Sequence, residues 1–145
     1  AVDPTDDPSG WDQLLLAVVT GVIAYGVGLV VAGLYLGDQV FDRLGFGPDD
    51  GGVAGGAARE YLRLVYGVLG AVIVGWMITI GVIILGPLRR RETWAWWAIV
   101  AAVTVWFVLD TGLSLVLGFV GHALFNVAFA VAVAVPLAAI RRRLP

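Results

Sequence analysis

Four long apolar runs, divided by short polar punctuation, make up most of this chain. Leu14 to Leu36 carries no charge across 23 residues. At about 1.5 Å per residue a helix of that length reaches roughly 34 Å, enough to cross a hydrocarbon core of about 30 Å. Similar runs cover 64–85, 94–117 and 123–140. The pattern predicts an all-α integral membrane protein. Short loops between successive spans make neighbours antiparallel, so the expected class is a four-helix up-down bundle forming a single domain.

The ends of the runs carry their own signals. Ser9 followed by Asp12 has the spacing of a capping box, and Trp11 belongs at the lipid headgroups. The second run is entered through Tyr61 and Tyr66 and is expected to stop at Gly86-Pro87. Glu92 or Thr93 starts the third, where Trp94, Trp96 and Trp97 suit an interfacial aromatic belt. The fourth ends in Arg141-Arg142-Arg143, with Pro136 close enough to that end for a kink to be tolerated. Small residues recur at Ala17, Gly21, Ala24, Gly28 and Ala32, and every fourth residue through Gly67, Ala71, Gly75 and Thr79. Such stripes let helices approach closely in lipid, so the two are expected to pack against each other. Alanines 130, 134 and 138 give the fourth run a thin face of the same kind.

The connection over 37–60 is acidic and glycine-rich. Gly47-Pro48-Asp49-Asp50-Gly51-Gly52 is breaker chemistry, while Asp38 to Leu44 suits a short interfacial helical turn. Asp49-Asp50 is a weak cation signal, because it lacks the ligand spacing of a calcium loop. The start of the chain has no basic segment of the kind a secretory signal peptide carries.

Composition agrees with the pattern. Of 145 residues, 60% are hydrophobic and 14% charged, with a mean hydropathy of +0.93. So many apolar side chains exceed what a small globule can enclose. There is no cysteine and a single histidine, His122, which excludes disulfides, thiol chemistry and a multi-histidine metal site within one copy. All nine basic residues are arginine. They stand at span boundaries rather than along a groove, so nucleic acid is not an expected partner. The lysine-free, valine- and alanine-rich composition points to a GC-rich genome, and the acidic loops suit a salt-loving prokaryote.

The arginines also predict orientation. Arg89, Arg90 and Arg91 lie between the second and third runs, and three more close the chain. Basic residues of short loops stay in the cytoplasm. Both termini are therefore expected on the cytoplasmic side of the cytoplasmic membrane, with the acidic connection outside. The arginine runs also suit anionic lipid headgroups.

Within the spans, Asp110 stands out. It lies seven residues before Leu117, about 10 Å inside its helix end. An ionised carboxylate facing lipid at that depth costs several kcal/mol, on the order of 3 or more, so it is expected to turn inward, find partners or stay protonated. If the third and fourth runs form a hairpin near Gly118 and Phe119, Asp110 lies level with Asn126, and Thr111 or Ser114 level with His122. Asp110, Ser114, His122 and Asn126 can then converge. The plainer reading, which the residues favour, is interhelical glue. The functional readings are a pocket for the polar head of a lipophilic ligand, lined by Asp110 and Ser114 with Trp76 and Trp106 as aromatic walls, or proton handling through Asp110, His122 and Asn126 as catalytic candidates. For the tryptophans, simple space filling is favoured over a pocket. The first two spans supply no other end for a proton path, which argues against conduction by one copy. No cofactor or metal is implied by any motif.

The segment from Gly75 to Ala138 resembles the small four-helix prokaryotic membrane proteins grouped as DoxX-like. The likeness rests on Gly86-Pro87-Leu88-Arg89-Arg90, on Trp94-Ala95-Trp96-Trp97, and on Trp106-Phe107-Val108-Leu109-Asp110 leading to Ser114. Some relatives of that group are linked to quinone-coupled sulfur oxidation or redox-stress complexes, so the resemblance implies a lipophilic partner without assigning residues to it. The expected role is a non-enzymatic subunit or a module binding a lipophilic ligand or partner, packed in the bilayer with itself or within a larger complex. The alternative is a membrane enzyme or carrier acting on a lipid or quinone through Asp110, His122 and Asn126.

Overall fold

The computed structural model describes residues 8–35 and 56–145. Helix α1 runs Pro8–Tyr35 and α2 Gly56–Ile83, the latter continued by a π-helical turn over Ile84–Leu88. Helix α3 covers Thr93–Val116 and α4 covers Val120–Arg141. All four are long and apolar enough to cross a membrane. The protein is thus the all-α, four-helix, multi-pass membrane protein that the apolar pattern predicts. Only 17% to 33% of each apolar span is buried, and side chains such as Val108, Leu109 and Val116 face outward at 60%, 67% and 84% exposure. An exterior of that kind is stable in hydrocarbon and not in water. The turn expected over 38–44 and the Asp49-Asp50 pair lie outside the described residues.

Two compact units make up the chain, one of Ala1–Thr20 with Thr79–Pro145 and one of Gly21–Ile78. In the smaller unit α1 and α2 run antiparallel, with Leu29 and Ala32 buried against Tyr25, Tyr66 and Ile73. Their closest approach is at Gly26 and Gly70. A Cβ on Gly26 would stand 3.0 Å from the Gly70 carbonyl oxygen, and one on Gly70 would overlap the carbonyl oxygen of Gly26. Only part of the expected stripes makes this contact: Ala32 is buried in it, while a Cβ on Gly21, Gly28, Gly67 or Gly75 meets nothing within 4 Å. A four-residue repeat drifts by about 40° per step around a helix of 3.6 residues per turn, so it cannot keep one face against a partner for long. The seam keeps Ala32 from the first stripe and otherwise follows the buried Gly26 and Leu29.

In the larger unit the buried side chains come from each helix present: Leu15 and Val19, Ile80 and Ile84, Ala95, Ile99 and Val103, then Val133, Leu137 and Ile140. Three local features differ from the sequence expectation. Helix α1 begins at Pro8, a residue suited to the first helical position because it has no N–H to leave unpaired. Ser9 lies within the helix, and Asp12 is buried at 7% exposure. The second helix does not stop at Gly86-Pro87. It widens, with Arg89 N–H donating to the Ile84 carbonyl at 3.3 Å. Proline lacks an amide donor and its ring crowds the preceding turn, and the wider turn absorbs both faults. The helix ends one residue past Pro87, where Glu92 N–H donates to the Pro87 carbonyl and Arg91 N–H to that of Leu88, at 3.0 and 2.9 Å. That pair of bonds is a Schellman ending, which needs a left-handed residue at its centre. Arg91 takes the conformation, with φ 63°.

The same ending closes α3. Phe119 N–H donates to the Ser114 carbonyl at 2.8 Å and Gly118 N–H to that of Leu115 at 3.1 Å, with Gly118 at φ 83°. Here the sequence supplies the residue that adopts this backbone without a steric penalty. The chain reverses over Leu117 to Phe119, and α4 returns antiparallel along α3. At the far end of this hairpin Trp96 Nε1 donates to the Leu137 carbonyl at 2.8 Å, and the Arg141 guanidinium lies 5.8 Å from the Trp96 ring centre. The expected aromatic belt thus divides: Trp94 and Trp97 are exposed at 57% and 56%, whereas Trp96 turns in and ties α3 to α4.

Candidate functional site

The α3–α4 hairpin holds the polar cluster. Along α3 the inward face passes through Ala95, Ile99, Val103 and Ser114, and Asp110, four residues before Ser114, belongs to it by helical spacing. Along α4 the matching face carries Ala123, Asn126, Val133 and Leu137. The short turn at Gly118 sets the two faces level, so side chains 12 and 16 residues apart in sequence meet.

They meet on one oxygen. Asp110 Oδ2 accepts from Asn126 Nδ2 at 3.1 Å and lies 3.2 Å from His122 Nε2. Which of His122 Nε2 and Asp110 Oδ2 carries the hydrogen between them depends on the imidazole tautomer. Asn126 Nδ2 also reaches Thr111 Oγ1 at 3.3 Å. The Ser114 hydroxyl does not join this ring. It donates to the backbone carbonyl of Asp110 at 2.7 Å, the usual use of a serine one turn along a helix. Asn126 is wholly enclosed and Ser114 nearly so, at 0% and 5% exposure. The side chains of Asp110 and His122 remain 34% and 29% exposed. His122 stacks on Phe125, with ring centres 6.3 Å apart and planes 24° apart.

The sequence-derived candidates therefore separate into two groups. Asp110, His122 and Asn126 are brought into hydrogen-bonding contact, with Ser114 alongside on the backbone. Thr111, named in the sequence only as a level-mate of His122, holds the second Asn126 hydrogen bond. Trp106, one turn deeper than Asp110, packs edge-on against Phe129 at 5.1 Å and 88°. Trp76 is half-buried in α2 and belongs to the smaller unit. Beyond Trp106 the same α3–α4 seam opens into a groove of about 200 Å³ lined by Trp96, Val100, Val103, Thr104, Ala130 and Ala134 among others. The alanines that spacing marked as a thin face thus line a groove. Among the described residues no three side chains of His, Asp or Glu gather as a metal site would require.

Comparison with protein-family models, with curated proteins and with solved structures returns no match. The chemistry of the cluster is therefore the basis for any functional assignment. A carboxyl group held by Asn126 and His122 of the neighbouring helix fixes the alignment of α3 and α4. One oxygen suffices for that. The other, Oδ1, takes part in neither of these bonds, and a third of the side chain is exposed.

Proposed function

We propose that this protein is a small multi-pass binding module whose Asp110–His122–Asn126 cluster receives the polar head of a lipophilic ligand. The observation that carries the reading is the divided use of Asp110. Its Oδ2 is taken up by α4, while Oδ1 stays open on a side chain that is one-third exposed. A carboxylate oxygen about 10 Å inside a span is costly to leave unpaired, so a group from outside the chain is its natural complement. The groove along the same seam gives an apolar tail a place to lie. The likeness of Gly75 to Ala138 to DoxX-like proteins supports a lipophilic partner in the same sense. We infer further that the host is the cytoplasmic membrane and that both termini are cytoplasmic, on the strength of Arg89 to Arg91 and Arg141 to Arg143.

Catalysis or carriage by the same residues has less support. The buried α3–α4 seam below the cluster is Val103, Ile99, Val133 and Leu137, which offers a proton no relay toward the arginine-bearing end. The test is native mass spectrometry of the protein released from nanodiscs made with lipids of its host. The expected result is a monomer carrying one lipophilic molecule, which Asp110→Ala removes while circular dichroism stays unchanged. A symmetric oligomer or a co-purified protein, with no retained lipophile, would replace the module with a structural subunit.

A further inference from the structure

With Asp110 ionised, and apart from the His122 ring, the unfilled hydrogen-bonding positions of the cluster are almost all of one kind. Both hydrogen bonds of the Asp110 carboxyl fall on Oδ2, which leaves Oδ1 to accept from outside the hairpin, and Asn126 Oδ1 is buried and unpaired. The Asn126 amide orientation follows from its neighbours. Turning it over would set its carbonyl oxygen against the Asp110 carboxylate at 3.1 Å, acceptor against acceptor. Ser114 has committed its hydrogen to the Asp110 carbonyl, so its oxygen can only accept. Of these side chains and Thr111, only Thr111 keeps a hydrogen, and its oxygen already accepts from Asn126.

We propose that the site selects a ligand whose head is a hydrogen-bond donor, an O–H or a protonated amine N–H, carried on an apolar tail. This deepens the binding-module reading and rests on it. An alcohol, a phenol, a hydroquinone or an alkylammonium meets the open Asp110 oxygen. An ether, a quinone carbonyl or a carboxylate brings a second acceptor to it. The tail runs along the α3–α4 groove. Thr104, in its lining, is seven residues before Thr111 and so on the same face. Ala130, also in the lining, is one turn beyond Asn126. From Thr104 to Trp96 the groove follows about 12 Å of helix.

The experiment uses the full chain in nanodiscs and four probes of equal tail length: dodecanol, dodecylammonium, dodecyl methyl ether and dodecanoate. Occupancy is read by native mass spectrometry across a titration of each. The alcohol and the amine are expected to bind about tenfold or more tightly than the ether, the usual consequence of leaving a site's polar group unmatched. Asp110→Asn is the decisive variant. Its oxygen keeps accepting from Asn126 while its NH2 replaces Oδ1, so the preference for donors over the ether should vanish or reverse, with the fold retained. Equal binding of all four probes overturns donor selection and leaves the module standing. Tighter binding of the ether or dodecanoate by the unaltered protein also overturns it, and shows a hydrogen on Asp110 Oδ1. If no probe binds at all, the module reading itself falls.

Discussion

Replacing Gly70 by alanine should loosen the α1–α2 contact, whereas the same change at Gly67, one helical turn away, should not. A methyl group on Gly70 would overlap the carbonyl oxygen of Gly26 and stand 2.9 Å from Val30 Cγ2 and 3.0 Å from Leu29 Cβ. Backbone cannot rotate aside as a side-chain tip can, so the two helices must separate. Relief of overpacking costs about 1–3 kcal/mol. A gap of half an ångström or more also forfeits roughly a quarter to a half of each dispersion contact it opens, here between Leu29 or Ala32 of α1 and Tyr66 or Ile73 of α2. Alanine returns up to about 1 kcal/mol through its higher helix propensity. The net expectation for Gly70→Ala is a loss of about 1–2 kcal/mol. For Gly67→Ala, whose Cβ meets nothing within 4 Å, only the gain remains. The assay is reversible unfolding in mixed micelles, with denaturing detergent titrated against lipid-like detergent and helicity followed by circular dichroism. Equal stability of the two variants would refute the close approach at Gly26 and Gly70.

A double-mutant cycle with Asp110→Ala and Asn126→Ala should return a coupling of about 0.6–2 kcal/mol, read by the same unfolding assay, since interhelical hydrogen bonds in membranes fall in that range; a coupling of zero would remove the contact from the energetics of the hairpin. Gly118→Ala places a methyl group on a left-handed residue and should cost about 1–2 kcal/mol, seen as a lower unfolding midpoint. The Glu92 carboxylate accepts from Arg90 Nε at 2.7 Å and Trp94 Nε1 at 2.6 Å, and these bonds hold its acid below the usual carboxylate range. A depressed folded-state value means the contribution is complete above the ordinary glutamate range near about pH 4.3 and is lost as pH falls through the lower folded value. Stability measured against pH should show that acid-side loss, and Glu92→Gln should abolish it.

The four helices were legible because an apolar run of membrane length has few other uses, and because Trp94, Thr93 and the arginine triplets mark where lipid ends. The meeting of Asp110 with Asn126 and His122 was legible for a related reason. A short hairpin leaves little freedom in level, and a carboxylate within a span has few tolerable surroundings. Other details were hidden. Whether Pro87 ends a helix or is carried in a widened turn depends on which carbonyls its neighbours can release, and both outcomes suit the same residues. The Gly26–Gly70 approach was missed because many glycines share the helices, and spacing alone gives them equal claim. The enclosure of Asp12 in the larger unit was hidden too, since its spacing from Ser9 speaks only to a cap. The role of Thr111 lay one residue from the position that spacing favoured, which helical periodicity does not resolve.

The turn at Gly118 has a consequence for biogenesis. A lone α3 would present Asp110 to the bilayer, at a cost on biological insertion scales of up to about 2.5–3.5 kcal/mol near a helix centre. Its complement, Asn126, follows only sixteen residues later, across the turn that ends α3. Helices α3 and α4 are therefore suited to leave the translocation machinery together, as a hairpin already closed on its own carboxylate. Truncation after Leu117 should leave α3 inserted less efficiently than the same segment followed by α4.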